Sequence, residues 1–267
     1  VKRYLSWGLG VQSTWMLVMS ALGELEPIDA AIVADTQWEQ QRTRDTFEFY
    51  SRWFEQRGIK IEVVTGGNMR ALGAAGHTHI PFWTESGGPL NRQCTGYAKI
   101  VPIKKAMRRL SGYDESLPPH PKAGEFENWI GISWDEWSRM STNETKYITN
   151  RYPLIEKKLN RWDCVDGYKR MGLPIPTKSA CIGCPYRDAA SWLDMRHNEP
   201  ESFEDACKFD EENRHNPLSD RGSTADAVYV WRGLKPLREV DFATEAKKQR
   251  KDKQTPLFVC TGQICWT

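Results

Sequence analysis

Arg3-Tyr4-Leu5-Ser6-Trp7-Gly8-Leu9-Gly10-Val11-Gln12-Ser13-Thr14-Trp15-Met16 lies near the beginning of a 267-residue chain. Arg3–Trp7 has the composition of a short buried strand. Val11–Leu22 repeats apolar residues (Trp15, Met16, Val18, Met19, Leu22) at helical spacing. Between them lies a turn with two glycines and hydroxyls on either side. Glycines let backbone N–H groups approach an anion, and the helix that follows points its partially positive end at the same place.

The same order repeats outward. Asp29–Ala34 reads as a strand, Gln40–Gln56 as a helix, and Gly58–Val64 as a third strand. Strands separated by helices pair in parallel with right-handed crossovers, so the expected fold is an α/β, doubly wound, mostly parallel open sheet. Thr65–Asn91 reads as a long loop, Cys94–Leu110 as a helix with Pro102 near its start, and Trp129–Ser133 as a fourth strand. Leu154–Met171 reads as one helix closed by Gly172 and Pro174. Beyond that the expected elements are a helix over Glu199–Arg214, a short strand over Val228–Trp231 and a charged helix over Glu245–Lys253. The expected organisation is a nucleotide-binding α/β domain with a cysteine site over 1–190, and an irregular helical extension over 191–267 packed on it.

Thirty-seven Lys and Arg face 35 Asp and Glu, a formal charge of +2. That balance does not announce a nucleic-acid binder but leaves room for a local basic face. No apolar run approaches the roughly 18 residues of a membrane span, and no signal-peptide pattern is seen, so a cytoplasmic protein without a membrane partner is expected. Seven cysteines, an odd number, argue against a disulfide framework and for metal or thiol chemistry at any close pair.

In the glycine turn, a third glycine is replaced by Ser13 and no Gly-Lys-Ser/Thr follows, so neither the dinucleotide fingerprint nor Walker A applies. A plain tight turn is the alternative. The order Ser6, Gly8, Gly10, Ser13 resembles the PP-loop of the adenine-nucleotide α-hydrolase superfamily, with one residue inserted and Gln12 at the usual acidic place. Ala34-Asp35-Thr36-Gln37-Trp38-Glu39 resembles the strand-end segment of sulfonucleotide reductases that lies beside the nucleotide. A helix N-cap at Asp35 or Thr36 is the structural alternative. The resemblance implies ATP or an adenylyl nucleotide, with Mg2+, held by Ser6, Trp7, Gly8, Gly10, Gln12, Ser13, Thr14, Asp35 and Thr36.

Cys181-Ile182-Gly183-Cys184-Pro185 can grip one metal centre, and by itself leaves a zinc half-site, an iron–sulfur half-site and a redox dithiol open. Arg92-Gln93-Cys94-Thr95-Gly96-Tyr97-Ala98-Lys99-Ile100-Val101-Pro102 resembles the cysteine segment of adenylyl-sulfate reductases, whose 4Fe-4S cluster has a second C-x-x-C pair some eighty residues on. That resemblance implies Cys94, Cys181 and Cys184 as ligands, with Thr95 at a missing fourth. Cys260, Cys265 or Cys164 could complete the site, or one iron could stay open for a sulfur atom; zinc is the alternative metal. Cys207, between Phe203 and Phe209, reads as a buried core thiol.

The tail Cys260-Thr261-Gly262-Gln263-Ile264-Cys265 resembles the nucleophilic tail of phosphoadenylyl-sulfate reductases, which makes Cys260 and Cys265 catalytic candidates. Lys99 is a third, since Lys99 and Lys178 are the cations expected to lower thiol pKa values. Gly131-Ile132-Ser133 stands where those reductases carry G-x-R, while Arg139 matches a later arginine that contacts the nucleotide. Losing the first arginine weakens the case for sulfonucleotide reduction.

The chain is thus identified as similar to the phosphoadenosine phosphosulfate (PAPS) reductase-like family. The implied activity is adenylylation of an acceptor with pyrophosphate release, followed by iron–sulfur-dependent sulfur transfer or nucleic-acid modification. Its partners would be an adenine nucleotide and a nucleic-acid substrate or a sulfur-donor protein. Two alternatives stand beside it: a sulfonucleotide reductase forming sulfite, and a non-catalytic nucleotide- or cluster-binding subunit of a modification or defence complex.

Overall fold

The computed structural model describes residues 1–76, 80–86, 88–216 and 227–254. Its centre is a five-stranded, all-parallel sheet in the order β3-β2-β1-β5-β6, from β1 (Lys2–Ser6), β2 (Ala30–Asp35), β3 (Ile61–Thr65), β5 (Phe126–Ile130) and β6 (Ile148–Arg151). Tyr4 lies opposite Ala30 and Asn128, and Leu5 opposite Ala31 and Trp129, so each register row puts residues of like face together.

Strand periodicity divides these rows between two cores. Leu5, Ala31, Val33 and Trp129 face α1 (Val11–Ala21) and α2 (Gln41–Glu55), with Met16, Val18, Tyr50 and Phe54. Tyr4, Ala30, Ile32 and Phe126 face the other way, onto Ala106 and Met107 of α4 (Val101–Leu110). Apolar side chains on both faces explain why these strands read as continuous hydrophobic runs rather than alternating ones.

The chain runs from β1 outward through β2 to β3, then crosses back to β5 on the far side of β1. The reversal beside β1 makes the C-terminal ends of β1 and β5 the edge where an open α/β sheet leaves a crevice.

Several sequence expectations change. The loop expected over 65–91 holds α3 (Met69–Ala74) and a short strand β4 (Trp83–Thr84), which pairs antiparallel with β7 (Val228–Tyr229). The helix expected over 154–171 is two: α5 (Pro153–Glu156) and α6 (Arg161–Met171). Lys158 turns left-handed at φ 55°, and Asn160 starts α6 with a capping box, accepting from Trp162 and Asp163 N–H while Asp163 accepts from Asn160 N–H. The predicted stop holds: Gly172 closes α6 at φ 63°. Strand β6 and α7 (Ala189–Asn198) were not foreseen; both are short, and α7 has little helical periodicity of apolar residues.

A third core joins α7, α8 (Pro200–Asn213) and α9 (Phe242–Gln254) to Trp38, Met69, Ile80, Phe82, Ala98 and Ile182. Buried Asp210 ties this region together, accepting from Val230 N–H at 2.8 Å and Leu237 N–H at 3.0 Å while ion-paired to Arg214. The described helices from α7 onward therefore share a core with the loops at the sheet's C-terminal edge. Cys207, 1% exposed, lies inside it, as its place between two phenylalanines suggested.

Candidate functional site

The glycine turn sits at the reversal point. Gly10 is the N-cap of α1 with no side-chain cap, so the first amide N–H groups of the helix have neither an i−4 acceptor nor a side-chain one. The left-handed residue of the turn is Leu9 (φ 58°), not either glycine. A non-glycine residue in that region stores strain, which often marks a site. A Cβ on Gly10 would meet nothing within 4 Å, and one on Gly8 would meet only Ser13 Oγ at 3.9 Å. The glycines thus keep the turn's outer side open. On the inner side Gly131, just past β5, packs so tightly that a Cβ would lie 2.7 Å from Ser13 N.

Other candidate nucleotide residues are committed elsewhere. Trp7 is 1% exposed; its ring packs on Phe47 and Phe54, and its Nε1 donates to Thr14 Oγ1 at 2.8 Å. The side chains of Trp7 and Thr14 therefore belong to the interior. Ser6 Oγ donates to Asn128 Oδ1 across the sheet, and Ser13 Oγ to Gly10 O.

Gln12, in the first turn of α1, is 8% exposed and joins three elements. It donates to Glu136 Oε2 (3.0 Å) and Ser133 Oγ (3.4 Å) and accepts from Arg161 Nη1 (3.0 Å). Arg139 pairs with Glu136 at 2.6 Å. The amide thus replaces a carboxylate with a group that can both donate and accept.

The second constellation lies past β2. Asp35 accepts from Gln37 N–H, a local turn contact. Thr36 donates to Glu39 Oε1 (2.9 Å) while Cys181 Sγ approaches its Oγ1 at 3.4 Å. Ile182 N–H donates to Trp38 O, and Glu39 forms a bridge with Cys181, so the C-x-x-C loop is stitched to the end of β2. Gly183 is needed there: a Cβ would fall 2.2 Å from the Trp38 ring.

The third segment of this site carries Cys94. Cys94 precedes a π-helix, Gly96–Ile100, and Gly66 after β3 packs on its backbone, where a Cβ would lie 2.8 Å from Tyr97 O. π-Helical turns recur at functional sites because the extra residue re-aims a side chain. Lys99 is in this turn, and it interacts electrostatically with Glu39, Cys181, Cys184 and Cys94. Burial works against its charge, yet these neighbours hold its pKa above the ordinary lysine value. Thiols 87 residues apart in sequence are therefore gathered around one ammonium group.

Sequence reasoning missed two members. Arg187, three residues after Cys184, is 6% exposed; it donates to Gln40 Oε1 and to the carbonyls of Ala180 and Cys181, and burial lowers its pKa against the attraction of Cys184, Cys181 and Glu39. Glu39 is also buried, and its Oε2 has no partner among the described residues. A basic residue closely following a C-x-x-C was the available signal for Arg187; none existed for Glu39. Arg92 donates to Cys94.

Three expectations need correction. The cations were expected to lower the thiol pKa values, but burial wins: it raises Cys94 and pushes Cys181 up to about 12. Lys178 does not take part; it is exposed and pairs with Asp188 at 3.5 Å. Cys164 is not a fourth ligand, since it is wholly buried on α6 in the core beneath α1, with burial pushing its thiol up to about 12. Cys260 and Cys265 lie outside the described residues. Among the described residues no three His, Cys, Asp or Glu side chains are placed to hold one metal ion together.

The fold and its edge define a doubly wound α/β protein with an open glycine turn at the topological switch and a half-buried thiol–lysine cluster past the end of the neighbouring strand β2. Two of the solved structures similar to it illustrate the likeness. One is a phosphoadenylyl-sulfate (PAPS) reductase from Candida auris in a phosphate complex, at 12% identity over 66% of this chain and 75% of the other, TM-score 0.44. The other is the U34-tRNA thiolase NcsA from Methanococcus maripaludis with its [4Fe-4S] cluster, at 14% identity over 79% of this chain and 71% of the other, TM-score 0.43. No protein-family model matches the chain, and no curated protein matches it in sequence.

Proposed function

We propose that the chain is a PP-loop enzyme that adenylylates an acceptor with ATP and then supports sulfur transfer at a [4Fe-4S] cluster ligated by Cys94, Cys181 and Cys184. The observation that carries the reading is the gathering of these three thiols around Lys99, next to an open glycine turn.

The donor set fits such a cluster. Three cations, Lys99, Arg92 and Arg187, act on the thiols, against two carboxylates, Glu39 and Asp188, the second of which is already paired with Lys178. Buried cations in excess of anions are costly unless a negative group joins them. Three thiolates on an iron–sulfur core would be such a group, with Cys94, Cys181 and Cys184 as the residues that would hold it. When bound, the cluster would supply iron chemistry for handling inorganic sulfur.

The remaining work belongs to the chain. The uncapped N–H groups at the start of α1 would bind the phosphates, whose negative charge also complements the helix dipole. An acceptor oxygen attacks the α-phosphorus; the bond to the β-phosphate oxygen breaks and pyrophosphate leaves. Sulfide from a donor then displaces AMP, which takes the acceptor's oxygen. Gln12 offers no carboxylate, so magnesium would arrive with the triphosphate, as it does where phosphates supply most of its ligands.

Anaerobically purified protein should contain about four iron and four sulfide per chain and absorb near 400 nm. Cys94→Ser, Cys181→Ser and Cys184→Ser should each lose most of that iron and remain folded by circular dichroism. Stoichiometric zinc, or iron unchanged in all three variants, sinks the cluster. ATP-dependent pyrophosphate release tests the first step, and fast sulfite release from a sulfonucleotide would replace the proposed activity with reduction.

A further inference from the structure

The described residues include eleven of the chain's 12 tryptophans, and three of them are largely exposed: Trp134 (47%), Trp137 (62%) and Trp162 (72%). They share one place. Trp134 and Trp137 lie in a 3-10 segment, Trp134–Arg139, just past β5, and Trp162 is in the first turn of α6. Trp134 N–H donates to Leu159 O at 2.8 Å and Arg161 N–H to Asp135 Oδ1 at 3.0 Å, so the two segments are bonded side by side. Gln12 then ties both, through Glu136 and Arg161, to the first turn of α1. The aromatic rim therefore borders the glycine turn directly.

Isolated exposed apolar residues need no explanation, but large rings grouped at the mouth of a site mark an interaction surface. The rings here alternate with charged residues instead of forming a continuous apolar face. A protein-docking core is depleted in charge, whereas a surface for unpaired bases combines ring faces with cations for the backbone. Between residues 134 and 162 six Lys and Arg face four Asp and Glu, and Lys157 and Lys158 are both exposed on the turn before Trp162. Arg139 and Arg151 are already paired with carboxylates, so exposed Lys157 and Lys158 are the cations placed to meet a phosphodiester chain.

We propose that Trp134, Trp137 and Trp162 form a stacking platform for the unpaired bases of a single-stranded nucleic acid, with Lys157 and Lys158 on its backbone. The inference rests on the adenylyl-transfer reading only for its purpose: a strand held on this rim presents an acceptor group to the neighbouring turn.

The test is fluorescence anisotropy with a fluorescein-labelled oligothymidylate and the full chain. Binding should weaken steeply with salt. Trp134→Ala, Trp137→Ala and Trp162→Ala should each weaken it about fivefold to a hundredfold, as expected for one lost stacked base. Lys157→Ala should lower the salt slope by about one. ATP binding should be the same in all four variants, which also reports that they fold. No oligothymidylate binding at low salt, or unchanged affinity in the three Trp variants, overturns the platform. So does self-association that the Trp variants abolish without any oligothymidylate binding. Pyrophosphate release and iron content are separate readouts: their failure with strand binding intact sinks the proposed reaction and leaves the platform standing.

Discussion

Gly131 shows how much one missing methyl can matter at this edge. A Cβ there would lie 2.7 Å from Ser13 N and 2.8 Å from Ser13 Cα, both backbone atoms that cannot swing aside. Gly131→Ala should therefore push the start of α1 away from β5. Expected outcomes are a loss of about 1–3 kcal/mol in urea unfolding, as for other overpacked sites, and weaker nucleotide binding. Wild-type stability would show that the two loops are not in contact. Glycines 8 and 10 were legible as a turn from their place between strand and helix. Gly131 was quoted with its neighbours in the sequence, but its reason is a contact with a segment 118 residues earlier.

At the scale of elements, α6 places opposing effects on one residue. Gly167 is in the helix interior, where alanine would raise helix propensity by about 1 kcal/mol. Its missing Cβ, however, makes room for the Trp15 ring of α1, which would stand 2.2 Å away. Packing should win, and Gly167→Ala should destabilise by about 1–3 kcal/mol despite better propensity; a rise in melting temperature would refute this account of the α1–α6 contact. The same helix shows where periodicity misleads. Leu154–Met171 reads as continuous because its apolar spacing continues, but the left-handed Lys158 and the Asn160 capping box divide it. Asn160-x-x-Asp163 is a start signal that the continuous reading passed over. The π-turn carrying Lys99 was not visible, because its extra residue leaves no compositional mark.

The whole molecule depends on how its C-terminal third is fastened to the sheet's edge. Asp210 accepts two backbone N–H groups from separate segments and pairs with Arg214, all at 1% exposure of its side chain. Asp210→Ala leaves that guanidinium and two donors unpaired in the interior. The expected cost is about 3–5 kcal/mol, with hydrogen exchange rising over 200–240 before it rises in the parallel sheet. Uniform exchange would show that the third core and the sheet unfold as one unit. Because Trp38, Ala98 and Ile182 belong to this core, loosening it should also disturb the thiol cluster.

Local chemistry in the chain was enough to establish the parallel α/β fold, the glycine turn between β1 and α1, and the three thiols worth watching. Strand-and-helix periodicity and residue type act over a few neighbours, and those features need nothing more. Tertiary structure decided which groups meet. It sent Trp7 and Thr14 into the core, put Cys164 under α1, turned Thr36 toward Cys181, and brought Glu39 and Arg187 to Lys99. It also bonded the segment of Trp134 and Trp137 to the start of α6, which carries Trp162. The physical reason is that burial and charge pairing depend on distances between remote segments, which strand order and crossover set and residue spacing alone does not encode.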